Sequence, residues 1–238
     1  MINKNKIVVT GGSGRFAQSL KKTKCKYKFI YPTRKRLDIT NLNSIKRFLK
    51  KNKPQSVLHL AGLSRPMTEH ETNISKSINL NVIGTANLVN ICSELKIKLI
   101  YFSTSYVYPG KKGNYKEYDA VLPWNNYAWS KLGGECAVQM YKNSLILRIC
   151  MTEKPFMHKN AFTNVKLNFI FHDELAKILV KILDKKGIIN VGGPTKTVYD
   201  FAKKHNQKIK KILNNKVSKY KFPLNPSMNL SKLSNLLK

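Results

Sequence analysis

IVVTGGSGRFAQSLKK, residues 7–22, decides the fold. A β-branched run, Ile7 to Thr10, stops at three closely spaced glycines, Gly11, Gly12 and Gly14, and a helical stretch follows to about Lys22. A strand that turns on glycines straight into a helix is the opening of a βαβ unit, and its turn is built to approach a pyrophosphate. Gly11 and Gly14 supply the tight turn and the close backbone approach, and Ala17 lets helix and sheet pack closely. The spacing is GxxGxxA, so position after the first strand carries more weight than the glycines themselves.

Outward from this point the pattern alternates. Strands are expected at 27–31, 56–60, 98–103 and 145–149, with helices at 41–51 (Thr40 as N-cap), 75–95 and 126–141. Residues 104–125 read as a loop rich in Gly, Pro, Asn and Tyr. The expected class is α/β, a Rossmann-type doubly wound parallel sheet. Beyond Cys150 the rhythm weakens; a helix at 173–183 and a strand at 187–191 are expected to rejoin the sheet. The implied division is a dinucleotide-binding domain at 1–150 plus about 168–193, and a reduced substrate lobe at about 151–167 plus 194–238.

Composition sets bounds. The chain has 238 residues and is 42% hydrophobic, enough for a core. No run of about 18 apolar residues suggests a membrane span, the charged amino end does not read as a secretory signal, and a cytoplasmic location is expected. Cys25, Cys92, Cys136 and Cys150 show no CxxC spacing, so neither zinc nor disulfides are expected, and Cys136 and Cys150 read as small core residues. Lysine and arginine total 44 against 12 acids, a formal +32. Only six are arginines and the lysines are scattered, which favours a solvated surface over nucleic-acid binding.

Two segments speak to cofactor and chemistry. After the second strand comes Tyr31-Pro32-Thr33-Arg34-Lys35-Arg36, with no acid before Asp38. An arginine here takes a 2′-phosphate where an acid would take ribose hydroxyls. NADP(H) is therefore preferred to NAD(H), with Arg34 ahead of Arg36. Four YxxxK pairs occur, but Tyr31–Lys35 and Tyr108–Lys112 contain proline, and Tyr199–Lys203 lies far from the strand that should face it. Tyr127–Lys131 alone opens a helix after the fourth strand, with both side chains on one face. Thr104, at that strand's carboxyl end, points where ligands sit in such sheets.

TGGSGRFA (10–17), LDIT (37–40), HLAG (59–62), NVIGT (81–85), STSYVY (103–108), YAWSK (127–131) and INVGGP (189–194) occur in order. Together they resemble the extended short-chain dehydrogenase/reductase family, and STSYVYPG with PLNPSMNLSKL (223–233) is most similar to its dTDP-4-dehydrorhamnose reductase-like branch. The resemblance implies a reductase of a 4-keto-6-deoxy nucleotide sugar, working as a homodimer. Tyr127 would donate the proton, Lys131 would bind the nicotinamide ribose and lower the Tyr127 pKa, and Thr104 would hydrogen-bond the reacting carbonyl. Gly11, Gly14, Arg15, Phe16, Ala17, Arg34, Asp38, Ile39, Ala61, Gly62 and Asn81 would line the cofactor. Ser105 and Tyr106 stand where dehydratases of the family carry acids, which argues against water elimination. His59 reads as a packed histidine, His70 and Glu71 as loop residues, Glu117 as structural, and Asp173-Glu174 as a favourable helix start. After Arg148 the family's sugar-pocket residues are replaced by Ile149 to Pro155, so Met151, Thr152 and Arg65 carry no motif although a sugar could reach them. An epimerase of the same family and a non-catalytic NADP-binding regulatory module are the other readings.

Overall fold

The computed structural model describes residues 3–214 and 222–238, with side chains from Asn5 onward. Six parallel strands form the central sheet: β1 (Asn3–Thr10), β2 (Lys28–Ile30), β3 (Pro54–His59), β4 (Lys98–Thr104), β5 (Ser144–Ile149) and β10 (Gly187–Val191). Their order is β10-β5-β4-β3-β1-β2. The chain steps outward from β1 to β2 and then returns to the other side of β1 with β3, so the winding reverses there. The crevice at such a reversal is where ligands bind.

Alternation explains why the sheet is covered on both faces. Ile7, Val9, Ile100, Leu145 and Leu147 face one core with Leu20, Leu175, Leu179 and Leu233, from α1 (Arg15–Lys21), α7 (His172–Ile182) and α9 (Ser231–Leu237). Val8, Val57, Leu99, Tyr101 and Ile146 face the other, with residues of α2 (Leu42–Asn52), α5 (Gly84–Glu94) and α6 (Asn126–Gln139). The C-terminal helix α9 thus packs on the sheet side, against α7 and β10.

The remaining elements are short. α3 (Glu69–Thr72) and α4 (Ile74–Ser77) precede a π-helical segment, Ile78–Ile83, which runs into α5. β6 (Met151–Thr152) pairs with β9 (Ile170–Phe171), β7 (Asn160–Phe162) with β12 (Lys210–Ile212), and β8 (Lys166–Leu167) with β11 (Lys196–Thr197). Together with α8 (Val198–Lys203) they surround a third core of Tyr108, Phe156, Val165, Phe171 and Phe201.

Several local expectations are corrected. Asn41, not Thr40, caps α2: its side chain accepts from Ser44 N, while Thr40 bonds to Asp38. The expected continuous helix over 75–95 is broken by the π segment. His70 sits on α3 and is buried, not in a loop. Cys136 is exposed on α6, whereas Cys92 and Cys150 are buried.

A buried ion pair fastens α6 to β4 and β5. On α6, Glu135 accepts from Arg148 Nε at 3.1 Å and from Ser103 Oγ at 2.6 Å. Arg148 Nη1 donates to Tyr108 Oη and to the Glu117 carbonyl, both at 2.9 Å. The Glu117 carboxylate accepts from Asn190 N, which supports its structural reading. Arg148→Met strands the Glu135 carboxylate, and we expect about 3–5 kcal/mol of lost stability, read by urea denaturation.

Candidate functional site

The crevice is a cleft of about 810 Å³ running from the glycine turn past the carboxyl ends of β3 and β4 to the start of α6. Of the residues that the sequence singles out for cofactor or chemistry, all but Asn81 and the reserve candidate Arg36 line it.

At one end Gly11 has φ +68°, and a Cβ there would lie 2.7 Å from the Ala61 nitrogen. Only glycine lets β1 and the shelf after β3 approach this closely. Gly14 caps α1 with no side chain on the helix's free N–H groups. Arg15 follows at the rim, Ala17 is buried beneath, and the Phe16 ring lies 5.1 Å from Phe102. Arg34 lines the cleft and is paired with Asp38 at 3.2 Å. Arg36, the reserve candidate, instead stacks over Phe48 on α2.

The shelf Leu60–Leu63 is held from both sides. The Thr10 hydroxyl accepts from the backbone N–H groups of Leu60 and Ala61. Asn81 clamps Leu63, accepting from its N–H at 2.7 Å and donating to its carbonyl at 2.8 Å. Its amide also donates to Ser130 on α6. Asn81 is therefore a buried strut that shapes the floor of the cleft, and its place on a π turn is what aims it there; such turns recur at functional sites. Behind it, His59 bridges Thr10 (2.8 Å) and Thr85 (3.0 Å). Because Thr85 donates to the Asn81 carbonyl, His59 Nε2 donates to Thr85 and Nδ1 accepts from Thr10. Burial lowers its pKa to about 3, so it is neutral, a packed histidine as expected.

At the other end α6 starts under an Asn125 cap that accepts from Ala128 N at 2.8 Å. Tyr127 and Lys131 follow one turn apart, beside Thr104 at the end of β4. α6 can lie against the π segment because Gly134 carries no Cβ, which would sit 2.6 Å from the Asn81 carbonyl. The Tyr127 ring packs edge-on against His70 (5.2 Å) and Tyr106 (6.2 Å). Lys131 Nζ lies 4.2 Å from the centre of the Tyr101 ring.

The electrostatics differ from the expectation for the pair. Burial lowers Lys131 to about 7, against a partial lift from Glu135. Tyr127 is raised by burial, opposed by a hydrogen bond with Thr104 and the charge of Arg65. In the ligand-free protein the phenol is thus firmly protonated, and Lys131 titrates near neutrality.

Glu153 was not foreseen. It follows β6, lines the cleft, and accepts from Arg15 at 2.7 Å and Arg65 at 2.9 Å through one oxygen. No motif marks it, because its partners lie far away in sequence. The residues present fit a dinucleotide: a glycine cradle that a Cβ would fill, an uncapped helix start, and five cations lining the cleft against two carboxylates.

Comparison with known proteins follows the same line. The RmlD substrate binding domain family matches residues 5–166. The dTDP-4-dehydrorhamnose reductase of Aggregatibacter actinomycetemcomitans is 28% identical over 197 residues, covering 80% of this chain and 63% of that protein. Methionine adenosyltransferase 2 subunit beta of Pongo abelii is 26% identical, over 58% of this chain and 43% of its own length. The chain thus spans less than two thirds of these curated relatives. A solved dTDP-4-dehydrorhamnose reductase from Bacillus anthracis, in complex with NADP, superposes with a TM-score of 0.86 at 19% identity, covering 99% of this chain and 92% of that one. That likeness establishes the α/β fold.

Proposed function

Since the chain belongs to the RmlD substrate binding domain family, we propose that it is an NADPH-dependent reductase of a 4-keto-6-deoxy nucleotide sugar. The observation that carries this reading is the convergence of Thr104, Tyr127 and Lys131 on one cleft with the glycine cradle. When bound, the dinucleotide supplies a hydride to the C4 carbonyl. Tyr127 supplies the proton to that carbonyl oxygen, a role its protonated state suits. Thr104 orients the same oxygen, and Lys131 holds the ribose next to the nicotinamide. Ser105 and Tyr106, not carboxylates, follow Thr104, which weighs against dehydration.

Arg34 is assigned to the 2′-phosphate, with Asp38 and Ile39 beside the adenine. Arg34→Ala is expected to raise the KM for NADPH about tenfold and to leave that for NADH within twofold, measured with both cofactors. An unchanged NADPH preference would move this role elsewhere. We assign the sugar lobe to about 151–167 plus 194–238, with its last helix, α9, resting on α7 and β10. Ile74, Ile78 and Ile83, with Trp129 on α6, expose apolar surface along the two helices that a second copy would cover. We propose a homodimer through this face, and sedimentation at micromolar concentration should report twice the chain mass. No helix among the described residues is long and apolar enough to cross a membrane; we place the reaction in the cytoplasm, and assign the +32 charge to solvated surface.

The relatives named as a subunit of methionine adenosyltransferase keep a second reading open, a module that binds NADP without turning over. Consumption of NADPH with a panel of 4-keto-6-deoxy nucleotide sugars separates the two. Turnover supports the reductase; tight NADPH binding with no consumption supports the module.

A further inference from the structure

Arg15 begins α1, directly after the glycine turn, and Arg65 lies in the segment after β3, on the side of the cleft that reaches Tyr127. They come from different elements and meet at Glu153 Oε1, at 2.7 and 2.9 Å. Two guanidiniums on one oxygen leave a surplus positive charge at the cleft mouth. Its surroundings do not offset it: the adjoining groove is lined by Lys22, Lys24, Lys154 and Lys177, with His172 and Asp173. Both guanidiniums remain partly exposed, so a soluble anion can reach them. A diphosphate offers several oxygens to guanidinium forks and carries more charge than a carboxylate.

We propose that Arg15 and Arg65 form a diphosphate clamp and that Glu153 is its built-in counter-ion, displaced when ligand binds. The proposal rests on the nucleotide-sugar reductase reading for its two sources of diphosphate, the dinucleotide and the sugar nucleotide. Glu153 then sets a threshold: a ligand must outcompete a tethered carboxylate, which neutral sugars and monoanions do poorly. It also keeps the two arginines paired in the ligand-free protein.

The test uses equilibrium binding alone, so it stands whether or not the protein turns over. Affinities for NADPH (fluorescence) and for dTDP (calorimetry) are compared among the native protein, Arg65→Gln and Glu153→Gln. Arg65→Gln is expected to weaken at least one probe about tenfold, and Glu153→Gln to strengthen the same probe about threefold or more. An effect on NADPH assigns the clamp to the cofactor's diphosphate, and an effect on dTDP assigns it to the substrate's. If Arg65→Gln leaves both probes within twofold, the clamp is wrong. If Glu153→Gln weakens binding or leaves it unchanged, Glu153 is a positioning residue and its role as a displaceable counter-ion is overturned. Absence of turnover with these binding results intact would sink the reductase and leave the clamp standing.

Discussion

Tyr127→Phe is expected to lower kcat by at least about 100-fold with a 4-keto-6-deoxy nucleotide sugar, while NADPH binds as tightly as to the native protein. The substitution removes one oxygen and leaves the ring that packs against His70 and Tyr106. The α6 cap at Asn125 and the Asn81–Ser130 contact do not involve that oxygen. Loss of turnover without loss of binding or fold therefore isolates the proton donor. Steady-state rates with a parallel fluorescence titration check it. A decline below tenfold would mean that protonation comes from elsewhere in the cleft.

Lys131→Met should cut kcat/KM about as deeply and at the same time stabilise the ligand-free fold. A lysine in water titrates near 10.5, but burial brings Lys131 down to about 7. Below pH 7 it is charged in both folded and unfolded chains, and the folded state carries the full cost of burying that charge. Between pH 7 and 10.5 the folded protein releases this proton while the unfolded chain keeps it, and the cost fades. The native protein should therefore gain stability from this group, on the order of a few kcal/mol, as pH rises through that window. Lys131→Met lacks this slope and is more stable at pH 6 to 7, a trade of activity against stability. Denaturation midpoints of both proteins at pH 6, 7 and 9 decide it. Parallel slopes would mean that Lys131 is not the source. For activity the sign is opposite: the ligand-free enzyme loses its charged Lys131 above about pH 7, so kcat/KM should fall on the alkaline side unless an anionic ligand restores the charge.

The glycine turn and the YxxxK pair were legible because each is a local device. Gly11 announces a tight turn with no room for a Cβ beside Ala61, and Tyr127–Lys131 needs only one helical turn to share a face. Strand alternation was legible for the same reason, since Leu99 to Phe102 encode both faces of β4 in four consecutive residues. The π turn was not: Ile78 to Ile83 has the composition of an ordinary helix, and only packing against α6 reveals why Asn81 points at Leu63. Thr40 and Asn41 are both good caps, and the choice fell to Asn41 because Thr40 bonds to Asp38. The lowered Lys131 pKa depends on how much of α6 the sheet covers, which spacing does not state. Glu153 illustrates the limit: its partners lie 138 and 88 residues away, and nothing near it in the chain marks the meeting.

The proposed reaction delivers a hydride to C4 of the sugar with Tyr127 as acid. Its most direct test is turnover of a dTDP-4-keto-6-deoxyhexose with NADPH deuterated at the transferable position, followed by mass spectrometry of the sugar. One deuteron per product, at C4, is expected from the native protein and none from Tyr127→Phe. Sugar that remains unreduced while deuterated NADPH binds, or that changes configuration without net deuterium, would contradict it.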